Sequence, residues 1–131
     1  MDFDSIVLMH KQDGKFLGEG FSVNIEKCFD NIKEFYEEDE KIFLTLSLEK
    51  EFSDEEFYNI IENFDYDEFE NLGIQISPKD DEYYPTFLIE IPNSSVEHIK
   101  FKIHSLLDLF DEKVVKIYCN KITIQNGQAY A

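Results

Sequence analysis

Apolar residues recur along this chain at two spacings, one of period two and one near 3.6, and the two divide it into elements. Ile6 to His10 read as a strand, Asp13-Gly14 as a two-residue hairpin turn, and Lys15 to Val23 as the returning strand. Both faces of the first strand are apolar, which predicts burial. Asn24 is placed to cap a first helix, with Ile25, Cys28, Phe29, Ile32, Phe35 and Tyr36 on one stripe, ending in the run Glu37-Glu38-Asp39-Glu40. Ile42, Leu44, Leu46 and Leu48 then alternate onto one face of a strand.

Ser53 followed by Glu56 is a capping box, and Phe52 with Phe57 fits a hydrophobic staple around it. Phe57, Ile60, Ile61 and Phe64 form the stripe of this second helix, and Gly73 stops the segment after it. "GIQIS" reads as a short strand, "PKDDE" as an acidic turn, and "YYPTFLIEIP" as a strand with Phe87, Ile89 and Ile91 on one face. Ser94 or Ser95 opens a third helix with the stripe Val96, Ile99, Ile103, Leu106, Leu107 and Phe110. "KVVKIYCNKITIQNG" reads as a closing strand. Its alternation shifts from Val115, Ile117 and Cys119 to Ile122 and Ile124, which suggests a bulge or turn.

The predicted order is ββαβ–α–ββαβ, an α+β fold with a mainly antiparallel or mixed sheet and helices packed on it. One framing is a ferredoxin-like βαββαβ core over residues 41–125, preceded by a hairpin and helix over residues 1–40 and followed by a loose tail, 126–131. The other is two ββαβ halves as a pseudo-repeat, which rests on element order alone. With 131 residues and no evident linker, a single domain is expected.

Charge changes the picture more than size. The net charge is −17, yet 13 Phe and 7 Tyr within a 43% hydrophobic composition argue for a folded core. Residues 51–92 carry 13 acids against one lysine, Lys79, whereas residues 93–131 are nearly neutral. Such a field repels nucleic acid and anionic membranes and favours basic proteins, polyamines and divalent cations as partners. Solubility alone is the competing explanation. The sequence contains no arginine, so no guanidinium fork is available to grip phosphate. No apolar run is long enough to span a bilayer, and "MDFDSIVLM" carries acids where a signal peptide carries lysines. With Cys28 and Cys119 in apolar patterns, a cytoplasmic protein with reduced thiols is expected.

Patterns for chemistry are weak. Asp65 and Asp67 match the first positions of a calcium loop, but Phe69, Glu70 and Ile76 stand where a ligand, a glycine and a bidentate Glu belong. His98 and His104 are six residues apart and share no helical face at one-turn spacing. No nucleophile elbow or phosphate-cradling glycine loop occurs. No catalytic residue, metal or cofactor is therefore assigned.

"DSIVLMHKQDGKFLG" near the start, with "EYYPTFLIEI" later, resembles a clostridial family of small acidic proteins of unknown function, over much of residues 1–110. That resemblance implies a lineage and no activity or site.

What remains is binding. Asp54, Glu55 and Glu56 occupy a first helical turn, where the dipole favours them. Asp65, Asp67, Glu68 and Glu70 lack that explanation. So do Glu37, Glu38, Asp39 and Glu40, which would oppose the dipole of the first helix. These two runs are the candidate steering surface for a basic partner, with Tyr66 and Phe69 as apolar anchors. Phe101, opposite the third helix's apolar stripe and between Lys100 and Lys102, marks a second contact or a homodimer surface, unless an additional chain segment covers it. The leading expectation is a non-enzymatic interaction module. The alternative is a small-molecule sensor or enzyme of ferredoxin-like build, with a pocket between sheet and helix.

Overall fold

The computed structural model describes the backbone of residues 4–125 and the side chains of residues 4–117. It is an α+β fold with a six-stranded mixed sheet. The elements run β1 (Asp4–Gln12), β2 (Lys15–Ile25), a single 3-10 turn (Phe29–Asn31), β3 (Ile32–Glu38), β4 (Lys41–Ser47), α1 (Asp54–Asn63), α2 (Tyr66–Glu70), β5 (Gln75–Pro78), β6 (Thr86–Pro92) and α3 (Val96–Gln125). Spatial order is β2-β1-β3-β4-β6-β5. Only β1 and β3 pair in parallel, through Met9 with Tyr36 and His10 with Glu37; the other neighbours are antiparallel.

Local chemistry sets the turns. Asp13 and Gly14 both take positive φ, 52° and 80°, as a type I′ hairpin requires. Asp39 and Glu40 do the same between β3 and β4, at 53° and 64°, without a glycine. Ser53 Oγ accepts from the Glu56 N–H at 3.1 Å while Glu56 Oε1 accepts from the Ser53 N–H at 2.8 Å, so α1 starts on the expected capping box.

Two predicted elements are corrected. The first helix does not form. β2 runs through Asn24 and Ile25, Cys28 sits at φ 63°, and residues from Ile32 make a strand. Helical spacing was real in this segment, but β3 lies inside the sheet and gains ladders with β1 and β4, which a helix would forfeit. The closing strand is also absent, because α3 continues through Gln125. Its apolar stripe extends past Phe110 to Val114 and Ile117, while Val115, which alternation would bury, is 54% exposed. Cys119, Ile122 and Ile124 lie outside the described side chains. With residues 113–125 helical, the ferredoxin-like frame over residues 41–125 lacks its last strand, and the pseudo-repeat fails with it.

The core lies between one sheet face and the helices. Ile42, Leu44 and Leu46 of β4 and Phe87, Ile89 and Ile91 of β6 meet Ile99, Ile103, Leu106 and Phe110 of α3, all essentially inaccessible. Phe64 stacks on Phe87 at 4.4 Å and on Phe69 at 5.4 Å, and this aromatic knot ties α1 and α2 to the sheet. Each fully buried side chain of this size contributes roughly 1.5–3 kcal/mol of transfer free energy.

Candidate functional site

Side chains alternate across a strand, so the sheet has a second face defined by register. In the row through Met9, the partners are Glu19, Tyr36, Phe43, Glu90 and Gln75. In the adjacent row, Glu34, Thr45, Leu88 and Ser77 lie side by side. Val7, two residues before Met9, stands 38% exposed on this face, and Phe16, opposite Lys11, is 57% exposed. Tyr36 and Phe43 stack at 5.1 Å, and the Lys11 ammonium sits 4.6 Å from the Tyr36 ring and 5.5 Å from Phe16. The helices pack on the opposite, Phe87-bearing side. An apolar band from Phe16 through Met9, Tyr36 and Phe43 to Leu88 therefore lies on the face away from them.

Polar groups in this face are held unequally. The Thr86 hydroxyl donates to the Tyr84 carbonyl at 2.9 Å and lies 3.3 Å from Ser47 Oγ. Thr45 Oγ1 is buried and has no hydrogen-bond partner among the described residues. Burial, then the neighbouring Glu34 and Glu38 carboxylates, push the Tyr36 phenol above its ordinary range.

The acids singled out in the sequence separate into three groups. Glu37 and Glu38 are used internally: Glu37 meets His10 Nδ1 at 2.6 Å and accepts from Asn93, and Glu38 accepts from the Gly14 N–H at 3.2 Å. Asp65 and Glu68 turn toward Lys113, whose Nζ lies 2.6 Å from Glu68 and 3.8 Å from Asp65. Asp39, Glu40, Asp67 and Glu70 are exposed, with no ion pair or side-chain hydrogen bond among the described residues. Asp39, Glu40 and Glu90 border one shallow groove over Ile74 and Gln75, and Glu70 and Glu90 border the next groove over the same two residues. Parts of the two runs thus meet at the β5 edge, beside Leu88 and the apolar band. Lys41 tempers this edge by pairing with Glu90 at 3.4 Å.

The apolar anchors need correction. Phe69 has 0% exposure and belongs to the core, so it has no surface to present. Tyr66 is half-buried, packed on Phe64, with its hydroxyl donating to the Ile61 carbonyl at 2.6 Å. Glu37 to Glu40 do not end a helix, so the dipole penalty assigned to them does not arise. Phe101 is 69% exposed, as its position opposite the helical stripe required. Lys102 beside it donates to the Gly73 carbonyl at 3.1 Å, and Lys100 lies 6.0 Å from the Phe21 ring.

Hydrogen bonding with the Glu68 side chain, then backbone N–H groups of Glu68 and Asp67 and the Lys113 ammonium, hold the Asp65 carboxyl below its usual range. The bond to Glu68 raises Lys113 in turn, against its own desolvation. Cys28 Sγ lies 3.7 Å from the Leu107 carbonyl and 3.9 Å from Asp111, and burial followed by the Asp111 charge pushes its thiol up to about 12. That thiol is a poor nucleophile at neutral pH. His104 Nε2 lies 2.8 Å from the Asn24 carbonyl, and His98 is exposed. Among the described residues no group of three or more His, Cys, Asp and Glu side chains is placed to hold a metal ion. No helix of the described residues is long and apolar enough to cross a membrane.

Reasoning from the sequence missed the helix-free sheet face. A partial signal was present: on the side of β4 and β6 away from the stripe, Phe43, Thr45, Ser47, Thr86 and Leu88 are neutral, and charge is confined to Lys41 and Glu90 at one end.

An α+β domain with a one-sided helical layer is the class these features define. The chain matches, over residues 1–129, a family described as "Family of unknown function (DUF6762)", and it belongs to that family. No curated protein and no solved structure matches it.

Proposed function

We propose that this chain is a non-enzymatic interaction module of the cytoplasm that docks a basic protein on its helix-free sheet face. The observation that carries the reading is the apolar band from Phe16 to Leu88, bordered at the β5 edge by Asp39, Glu40 and Glu70. Buried aromatic and aliphatic contacts supply affinity at the centre of such an interface, and rim charges steer the encounter. With a net charge of −17, approach by a basic surface is accelerated and approach by nucleic acid or anionic lipid is opposed.

The test is site-specific photo-crosslinking in cells, with the reactive side chain at Val7, Phe16 or Phe43 and a control at Glu62 on α1. The expected result is one adduct with a basic polypeptide from the three sheet positions and none from Glu62. The triple change Asp39→Lys, Glu40→Lys, Glu70→Lys should weaken it, as should high salt. No adduct from any sheet position, or one indifferent to both charge reversal and salt, would overturn the reading.

A further inference from the structure

Helix α1 is amphipathic, yet none of its side chains is fully buried. Phe57, Ile60 and Ile61, which form its apolar stripe, are only half-buried. Between α1 and the later turns of α3 lies a cleft of about 540 Å3. The groove at the β5 edge has the same volume, so the lining and not the size sets this cleft apart. Phe52, Ile60, Phe64 and Ile117 give it an apolar lining.

The polar lining is divided by sign. Lys113 and Lys116, one turn apart on α3, supply the positive wall. Glu56, Asn59 and Asn63 along α1, with Asp65 just beyond its end, supply the acceptors. Several of these groups are already engaged. Glu56 closes the capping box with Ser53, and Asn63 Nδ2 donates to the Asn59 carbonyl at 3.1 Å, which leaves Asn63 Oδ1 as an acceptor. Lys113 is held by Glu68 and Asp65. Among the described residues Lys116 makes one ion pair, a long, exposed contact of 3.9 Å with Glu112, and Asp65, bonded by the Glu68 and Asp67 N–H groups and 3.8 Å from Lys113, stays about half exposed.

We infer that this cleft binds a free α-amino acid with a bulky apolar side chain. The side chain lies against Ile60, Phe64 and Ile117, the carboxylate meets Lys116, and the ammonium meets Asp65 and Asn63 Oδ1. The alternatives each leave Asp65 or Lys116 with no more than its present long ion pair, 3.8 Å to Lys113 or 3.9 Å to Glu112. A fatty acid has nothing for Asp65 and must enter a strongly negative field. An apolar cation has nothing for Lys116. A neutral apolar molecule desolvates both charges without pairing either. A zwitterion with an apolar body meets both walls and covers Ile60, the residue of the half-buried α1 stripe that lines the cleft.

The test is calorimetric and NMR titration of the full chain with L-phenylalanine and L-leucine. Glycine, L-phenylalaninamide, N-acetyl-L-phenylalanine and 3-phenylpropionate are the comparison probes. Saturable binding of the two bulky amino acids is expected, with amide shifts at Asn59, Asn63 and Ile117. Removing either ligand charge should weaken binding about tenfold or more, as loss of a charged hydrogen bond does. Lys116→Gln, at an exposed position, should lower the affinity for phenylalanine to that for phenylalaninamide and leave phenylalaninamide unchanged. No saturation by about 10 mM, where affinity falls below that of even a weak specific ligand, would overturn the inference. So would equal binding of the capped probes, shifts mapping elsewhere, or a Lys116→Gln protein that binds phenylalanine unchanged.

Discussion

Lys113 is 8% exposed, and its ammonium is satisfied by Glu68 at 2.6 Å and, more loosely, by Asp65 at 3.8 Å. Glu68→Ala removes the short bond and leaves the charge in place. A hydrogen bond to a charged group contributes about 1.5–3 kcal/mol. Glu68 is itself 46% exposed and Asp65 remains, so solvent and the second carboxylate recover part of the loss. The expected cost is about 1–2 kcal/mol. Lys113→Met keeps an apolar stem of similar length and removes the charge that needed desolvating, so it should lie within about 1 kcal/mol of wild type. In the double variant, Glu68→Ala should then cost almost nothing further, giving a coupling of about 1–2 kcal/mol. Urea unfolding followed by circular dichroism at neutral pH measures all four proteins, and the denaturant slope should not change.

The pH dependence has a definite sign. Lys113 is raised in the folded state, so its contribution is complete below the ordinary lysine value of 10.5 and is lost as pH climbs from there through the raised value. Asp65 is lowered, so its share is present above the ordinary carboxylate value of 3.8 and is lost as pH falls through the lowered one. Glu68→Ala should flatten the alkaline loss. If Glu68→Ala is neutral, or if Lys113→Met costs more than Glu68→Ala, the ion pair is not what stabilises this corner.

Other expectations follow from single positions. Phe69→Ala, at a fully buried ring stacked on Phe64, should cost about 3–5 kcal/mol in the same melts. Thr45→Val removes a buried hydroxyl without a partner among the described residues and should stabilise by about 1 kcal/mol, while a cost would show that the hydroxyl is satisfied in solution. Glu40→Gly relieves a left-handed residue at φ 64° and should stabilise by about 1 kcal/mol. Cys28, with its thiol pushed up to about 12, should resist iodoacetamide near pH 8 in the native protein and react once urea exposes it, as peptide mapping reads directly. Because the unfolded thiol ionises near its ordinary 9.0, stability should also fall as pH rises from there toward about 12.

Sequence alone determined the elements whose local chemistry and long-range packing agree. The Asp13-Gly14 turn, the capping box at Ser53, the alternation through Ile42 to Leu46 and Phe87 to Ile91, and the stripe from Ile99 to Phe110 each allow one conformation and bury the same side chains in it. The outward position of Phe101 was legible for the same reason. Tertiary structure decided where one segment satisfied two periods. Ile32 to Glu38 could face the core as a helix or as a strand, and only the ladders offered by β1 and β4 made it a strand. That choice also converted Glu37 to Glu40 from a helix end into a strand and a tight turn, so that two of these acids are bonded internally and two project. Phe69 could not be assigned to core or surface from a short acidic segment, because its burial depends on Phe64 arriving from α1. The helix-free sheet face and the cleft under α1 are likewise relations between distant elements. A side chain's period says which way it points, and only the packed neighbours say what, if anything, it meets there.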